Sequence, residues 1–111
     1  MRILLANTST LPDRMGGGER ALWHLARGLR ERGHDVRIVV PWMNRNHPPA
    51  SLIDGVSIHR YSDRFHSFAT LYLPSLAAAR GAIARELRQW RPDIVHTHQG
   101  ISGVAAGLAG A

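Results

Sequence analysis

The sequence predicts an α/β domain in three layers, a parallel sheet with helices on both faces. Three observations carry that expectation. Apolar, β-branched runs at 3–6, 36–40 and 94–97 alternate with two stretches of helical periodicity. Those runs are continuous rather than alternating, the pattern of strands covered on both sides. The segments between them are long enough for crossover connections and far too long for hairpins. The 111 residues leave room for one domain, and 1–111 is read as a single partial unit.

The first strand is Ile3, Leu4, Leu5 and Ala6, closing at Asn7. Residues 8–18 (TSTLPDRMGGG) are rich in turn formers, and the glycines 16–18 let the backbone bend and approach a ligand closely. From Glu19 a helix is expected, because Leu22, Leu25, Ala26 and Leu29 recur at i, i+3, i+4 and i+7. Gly33 ends it, with Arg30 and Arg32 placed against the negative end of the helix dipole. Val36, Ile38, Val39 and Val40 form the second strand, stopped by Pro41.

Residues 43–55 read as a long loop, and Val56, Ile58 and Tyr61 as a short alternating strand at a sheet edge. Leu76, Ile83, Leu87 and Trp90 then give a second amphipathic helix ended by Pro92. A last strand covers Asp93 to Thr97, and a small-residue helix from Ser102 runs to the end of the sequence as if cut there. The expected strand order is 3-2-1-4 with right-handed crossovers. Such a sheet, stopped after its fourth strand, would leave an edge and an apolar face uncovered.

Composition removes several chemistries. With no Cys there are no disulfides, thiol nucleophiles or cysteine metal sites. With no Lys there is neither a Walker-type phosphate loop nor a lysine Schiff base. The N-terminal apolar run is too short for a secretory signal, and nothing approaches a membrane span, so a cytoplasmic location is expected.

Ligands in sheets of this kind bind beyond the carboxyl ends of the strands, where strand order reverses. The glycine loop after the first strand and His98 after the last would flank the same crevice. Gly16, Gly18 and Ala21 satisfy a G-x-G-x-x-A pattern, but the long spacer after the strand and the absence of an acid after the second strand argue against a dinucleotide. Helix-start amides still attract phosphate, and a merely flexible loop is the plainer alternative. His96 and His98, two apart on a strand, share a face. They are read as metal ligands lacking a nearby third, as structural histidines bonded to backbone, or as a polar pair entering a ligand cleft.

The stretches MRILLANTSTLPDRMGGGERALWHLARGLRERGHDVRIVVP and RPDIVHTHQG together resemble the N-terminal half of a family 4 glycosyltransferase of the GT-B fold. The resemblance covers nearly the whole chain. It implies a Rossmann-like domain on the acceptor side of a two-domain enzyme. It also implies retaining, metal-independent transfer of a sugar from a nucleotide diphosphate sugar donor to a sugar or lipid-linked acceptor. Position by position, Gly16 and Gly17, with Gly18 beside them, match the loop near the donor diphosphate, Glu19 faces the cleft from the helix start, and His98 matches the histidine near the transferred sugar. The family's second domain carries a pair of closely spaced glutamates, a spacing that Glu19, Glu31 and Glu86 do not reproduce. The chain is therefore expected to lack the donor-binding domain and to be inactive alone, with no metal and no permanently bound cofactor.

The formal charge of +6 rests entirely on Arg. Arg60, Arg64, Arg80, Arg85, Arg88 and Arg91 flank Phe65, Phe68 and Tyr72, a grouping that fits a peripheral contact with an anionic membrane or, more plainly, a solvated helix face. The readings from other classes are an anion- or nucleic-acid-binding module and the nucleotide-binding domain of another α/β enzyme. Nucleic acid is not expected, because the arginines spread along the chain and no recognisable motif accompanies them.

Overall fold

The computed structural model describes residues 1–7, 10, 16–42, 46–62, 73–97 and 100–110. In chain order these form β1 (Arg2–Ala6), α1 (Gly17–Glu31), β2 (Asp35–Pro41), β3 (Ala50–Ile53), β4 (Val56–Tyr61), α2 (Leu73–Gln89), β5 (Ile94–Thr97) and α3 (Gly100–Leu108). The sheet order is β3-β4-β2-β1-β5. All pairings are parallel except that of β3 with β4. The expected order 3-2-1-4 is present as β4-β2-β1-β5. The fold is thus α/β and Rossmann-like, as expected.

Two expectations need correction. Residues 50–53 are a strand and not loop, and β4 is consequently interior, with the edge passed to β3. The cause is the dipeptide Asp54-Gly55, whose φ values of 52° and 80° make a two-residue turn. Two central residues with positive φ match the right-handed twist of the flanking strands, and Asp-Gly is among the sequences that adopt them most readily. Ile53 pairs directly with Val56 across that turn. The other correction concerns α1, which begins at Gly17, so two glycines assigned to the loop form its first turn.

Alternation along β1 and β2 divides the core in two. Ile3, Leu5, Val36, Ile38 and Val40 point to the side covered by Leu22, Trp23 and Ala26 of α1, joined by Val56 and Ile58 of β4. Leu4, Ala6 and Val39 point to the other side, against Ala79 and Ile83 of α2 and Ala105 and Ala106 of α3. Of the expected α1 stripe, Leu22 and Ala26 are buried and Leu29 packs against the cluster, but Leu25 is exposed and Trp23, outside the expected pattern, is buried instead. The α2 and α3 contacts use alanines, which allow two helices to lie close together over the central strands. Gly33, at φ 89°, terminates α1 where an L side chain would be strained.

Candidate functional site

The carboxyl edge of the sheet is where β1 gives way to α1. The turn at 32–34 joins the end of α1 to the start of β2, so the helix runs back to the amino edge and its start lies at the carboxyl edge. Gly16 is the N-cap, extended at φ −117° and ψ 172°, and its carbonyl accepts the first helical bond from the Arg20 N–H at 3.0 Å. Being a glycine, this N-cap supplies no side-chain cap to the amides that follow. These groups, together with the positive end of the helix dipole, form the elementary anion site of α/β proteins.

The glycines at this position differ in what they do for the fold. A Cβ on Gly16 would run into the Glu19 carboxyl group, whereas a Cβ on Gly17 or Gly18 would meet nothing within 4 Å among the described residues. A side chain at 16 would therefore displace the Glu19 carboxyl, whereas packing against the described residues makes no demand at 17 or 18. Glu19 is buried and turned back onto Gly16, the position from which an N3 glutamate reaches its N-cap in a capping box. Its carboxyl lies against Gly16 at the helix start. Asn7, directly after β1, and Thr10 are both buried. The Thr10 hydroxyl has no hydrogen-bond partner among the described residues.

On the neighbouring strand Ala6 pairs with Thr97, so β1 and β5 end side by side. His98, which follows Thr97, lies outside the described residues. His96 falls on the α1 side of the sheet with Ile94, opposite Leu5. Among the described residues no group of three His, Cys, Asp or Glu side chains is placed to hold a metal ion.

A second polar cluster, on the other side of the sheet, escaped sequence reasoning. Arg37 of β2 donates to Glu86 of α2 at 2.6 Å, and His59 of β4 donates from Nδ1 to the other oxygen of the same carboxylate at 3.0 Å. The Arg37 guanidinium also stacks over Trp90, 4.5 Å from the ring centroid. Burial pushes the Glu86 carboxyl up, but the hydrogen bonds and charges of His59 and Arg37 outweigh it and hold the group below its ordinary value of 4.5. Two signals could have found this cluster. Glu86 lies on the apolar stripe of α2 between Ile83 and Trp90, and Arg37 interrupts the β-branched run of β2.

The arginine grouping is only partly a surface. Arg60 is buried, with Nη1 donating to the Pro48 carbonyl at 2.8 Å and to Ser51 Oγ at 2.7 Å. It therefore does not belong to a membrane-facing patch. Arg64, Phe65, Phe68 and Tyr72 lie outside the described residues. Among the described residues no helix is long and apolar enough to cross a membrane.

Comparison with known proteins adds a family to this geometry. The family described as Glycosyltransferase Family 4 matches residues 15–111. A GDP-mannose-dependent alpha-mannosyltransferase of Mycolicibacterium smegmatis is 33% identical over 97 residues, which cover 86% of this chain and 25% of that protein. A glycogen synthase of Mycobacterium tuberculosis is 30% identical over 114 aligned positions, covering 88% of this chain and 28% of the relative. The chain thus spans about a quarter of the length of the relatives it matches.

Proposed function

Because the chain belongs to glycosyltransferase family 4, we propose that it is the acceptor-side domain of an enzyme that moves a sugar from a nucleotide diphosphate sugar to an acceptor. The transfer is retaining and needs no metal. The donor-binding domain lies outside the chain, and the 111 residues are inactive without it. The observation that carries this reading is the state of α1's first turn. Among the described residues Gly17 and Gly18 have open space where a Cβ would stand, and the N-cap, itself a glycine, supplies no side-chain cap to their amides. Glycine costs a helix roughly 0.5–1 kcal/mol relative to alanine. A helix that carries two of them in its first turn with no packing demand gains something else, which is the approach of a diphosphate to the backbone.

In this reading Gly16 sets the loop, Gly17 and Gly18 hold the diphosphate, and Glu19 positions Gly16. His98 stands near the transferred sugar, where it orients the donor or stabilises developing charge. The M. smegmatis relative makes GDP-mannose the first donor to try. The test separates fold from function by sign. Gly17→Ala and Gly18→Ala each raise stability by up to about 1 kcal/mol if the fold alone is at stake. In the complete enzyme the same changes weaken donor binding about tenfold or more, because a methyl group occupies the phosphate's approach. Calorimetric titration with GDP-mannose and a thermal melt read both effects. Variants that gain stability and keep full donor affinity and turnover would sink the reading. His98→Ala in the same enzyme lowers turnover by on the order of a hundredfold, and unchanged turnover removes His98 from the site.

A further inference from the structure

A cleft of about 730 Å³ opens on the face of the sheet opposite α1, between α2 and strands β2 and β4. It exists because the α2 side of this junction is built from small residues. Ala78, Gly81 and Ala82 line it where larger side chains would have filled the space. Trp42 and Tyr61 form the facing wall from the carboxyl ends of β2 and β4. The Trp42 position is fixed by its backbone N–H on the Tyr61 carbonyl at 2.7 Å and its indole N–H on the His47 carbonyl at 2.8 Å.

The charge within this cleft is one-sided. Glu86 is the acidic group in its lining, and that carboxylate is already engaged by Arg37 and His59. One turn apart on α2, Arg85 and Arg88 also line the cleft, and both are exposed. Neither has a carboxylate or any other hydrogen-bond partner among the described residues. Side chains three apart on a helix are neighbours, so two guanidinium forks can converge on one group. Their planar donors match phosphate oxygens in pairs. Size, small-residue floor, aromatic wall and a few convergent cations are the attributes of a small-molecule site.

We propose that this cleft binds a phosphate-bearing molecule, with Arg85 and Arg88 on the phosphate and the body of the molecule between Ala78, Gly81 and Ala82 and the Trp42–Tyr61 wall. The site lies across the sheet from the glycine loop and stands whether or not that loop holds a nucleotide. Phosphate can arrive on a soluble ester or on a lipid headgroup, and the experiment distinguishes the two. The protein is titrated calorimetrically with glycerol 3-phosphate, and separately with phosphatidylcholine vesicles with and without phosphatidylglycerol. Arg85→Ala/Arg88→Ala is compared with Arg27→Ala/Arg32→Ala, which removes equal charge from α1 and its C-cap, and circular dichroism checks that both variants fold.

Saturable binding of glycerol 3-phosphate, competed by inorganic phosphate and weakened about tenfold or more only in the α2 variant, is the expected result. Binding to anionic vesicles alone, lost in the α2 variant and kept in the α1 variant, identifies a lipid headgroup as the source. The proposal is overturned if neither probe binds saturably, or if both variants weaken binding equally, since the effect is then one of bulk charge.

Discussion

Among single residues, the Glu86 carboxylate ties α2 to two strands of the sheet. It is 7% exposed and joins three elements through two of its neighbours, Arg37 on β2 and His59 on β4. Removing its charge leaves the Arg37 guanidinium, 20% exposed, against Trp90 and, among the described residues, without a counter-ion or a partner for its Nε. Glu86→Gln keeps the shape and loses two charge-assisted bonds, so it destabilises by about 2 kcal/mol. The pH dependence follows from the direction of the shift. The folded-state pKa is held below the unfolded value near 4.5, so this contribution is complete above that value and is lost as pH falls through the lower, folded one. Acid melts of the natural protein and Glu86→Gln measure it. The two stability curves converge on acidification, and curves that stay parallel down through the carboxylate range would show that Glu86 is not the group responsible.

At the scale of elements, the junction between α2 and β5 carries a conformation its residue does not favour. The N–H groups of both Trp90 and Arg91 reach the Glu86 carbonyl, at 2.9 and 3.1 Å, and Arg91 adopts φ 54° to close the helix. A left-handed non-glycine residue costs roughly 1–2 kcal/mol, and glycine is the usual occupant of this site. Arg91→Gly therefore raises the melting temperature, by an amount equivalent to about 0.5–1 kcal/mol once the greater freedom of glycine in the unfolded chain is subtracted. A lower melting temperature would mean that the Arg91 side chain contributes more than its backbone costs. The same junction shows what a sequence conveys about elements. Periodicity located α1 and the body of α2, and a continuous β-branched run located β2, because the helices bury one face and the strand is covered on both. It did not locate β3, whose four residues are half exposed and whose existence depends on Asp54-Gly55 and on pairing with β4. Nor could it join Arg37, His59 and Glu86, which lie 49 and 27 positions apart and meet only through a crossover. The glycine loop was legible because its glycines are contiguous, while the backward turn of Glu19 onto Gly16 is a matter of side-chain direction that spacing alone leaves open.

For the whole molecule, strand order sets a gradient of local stability. β1 and β2 are flanked by strands on both sides and covered on both faces, with Leu4, Leu5, Ile38 and Val40 fully buried. β3 and β5 form the two edges, where Leu52 is 73% and Ile94 44% exposed. The face of β5 on the α1 side carries Ile94 and His96, and α1 lies instead over β2 and β4. Backbone amides open with free energies that range from near zero at exposed edges to the global unfolding value in the core. Native-state hydrogen exchange should therefore show β1 and β2 protected to the global limit, with β3 and β5 opening first and at lower cost. The starts of β1 and β5 will be an exception within that order. The Arg2 and Asp93 N–H groups are bonded to the Asp93 carboxylate and the Arg2 carbonyl, at 2.8 and 2.7 Å, while Arg2 Nη1 reaches the Trp90 carbonyl at 2.7 Å. Arg2→Ala removes the Trp90 tie and speeds exchange along β5 while β2 is unchanged relative to the global limit. Uniform acceleration across all strands would instead make the sheet one cooperative unit, and the α2 cluster of Arg37, His59 and Glu86, which couples β2 and β4 to a helix, is the structure that would impose such coupling.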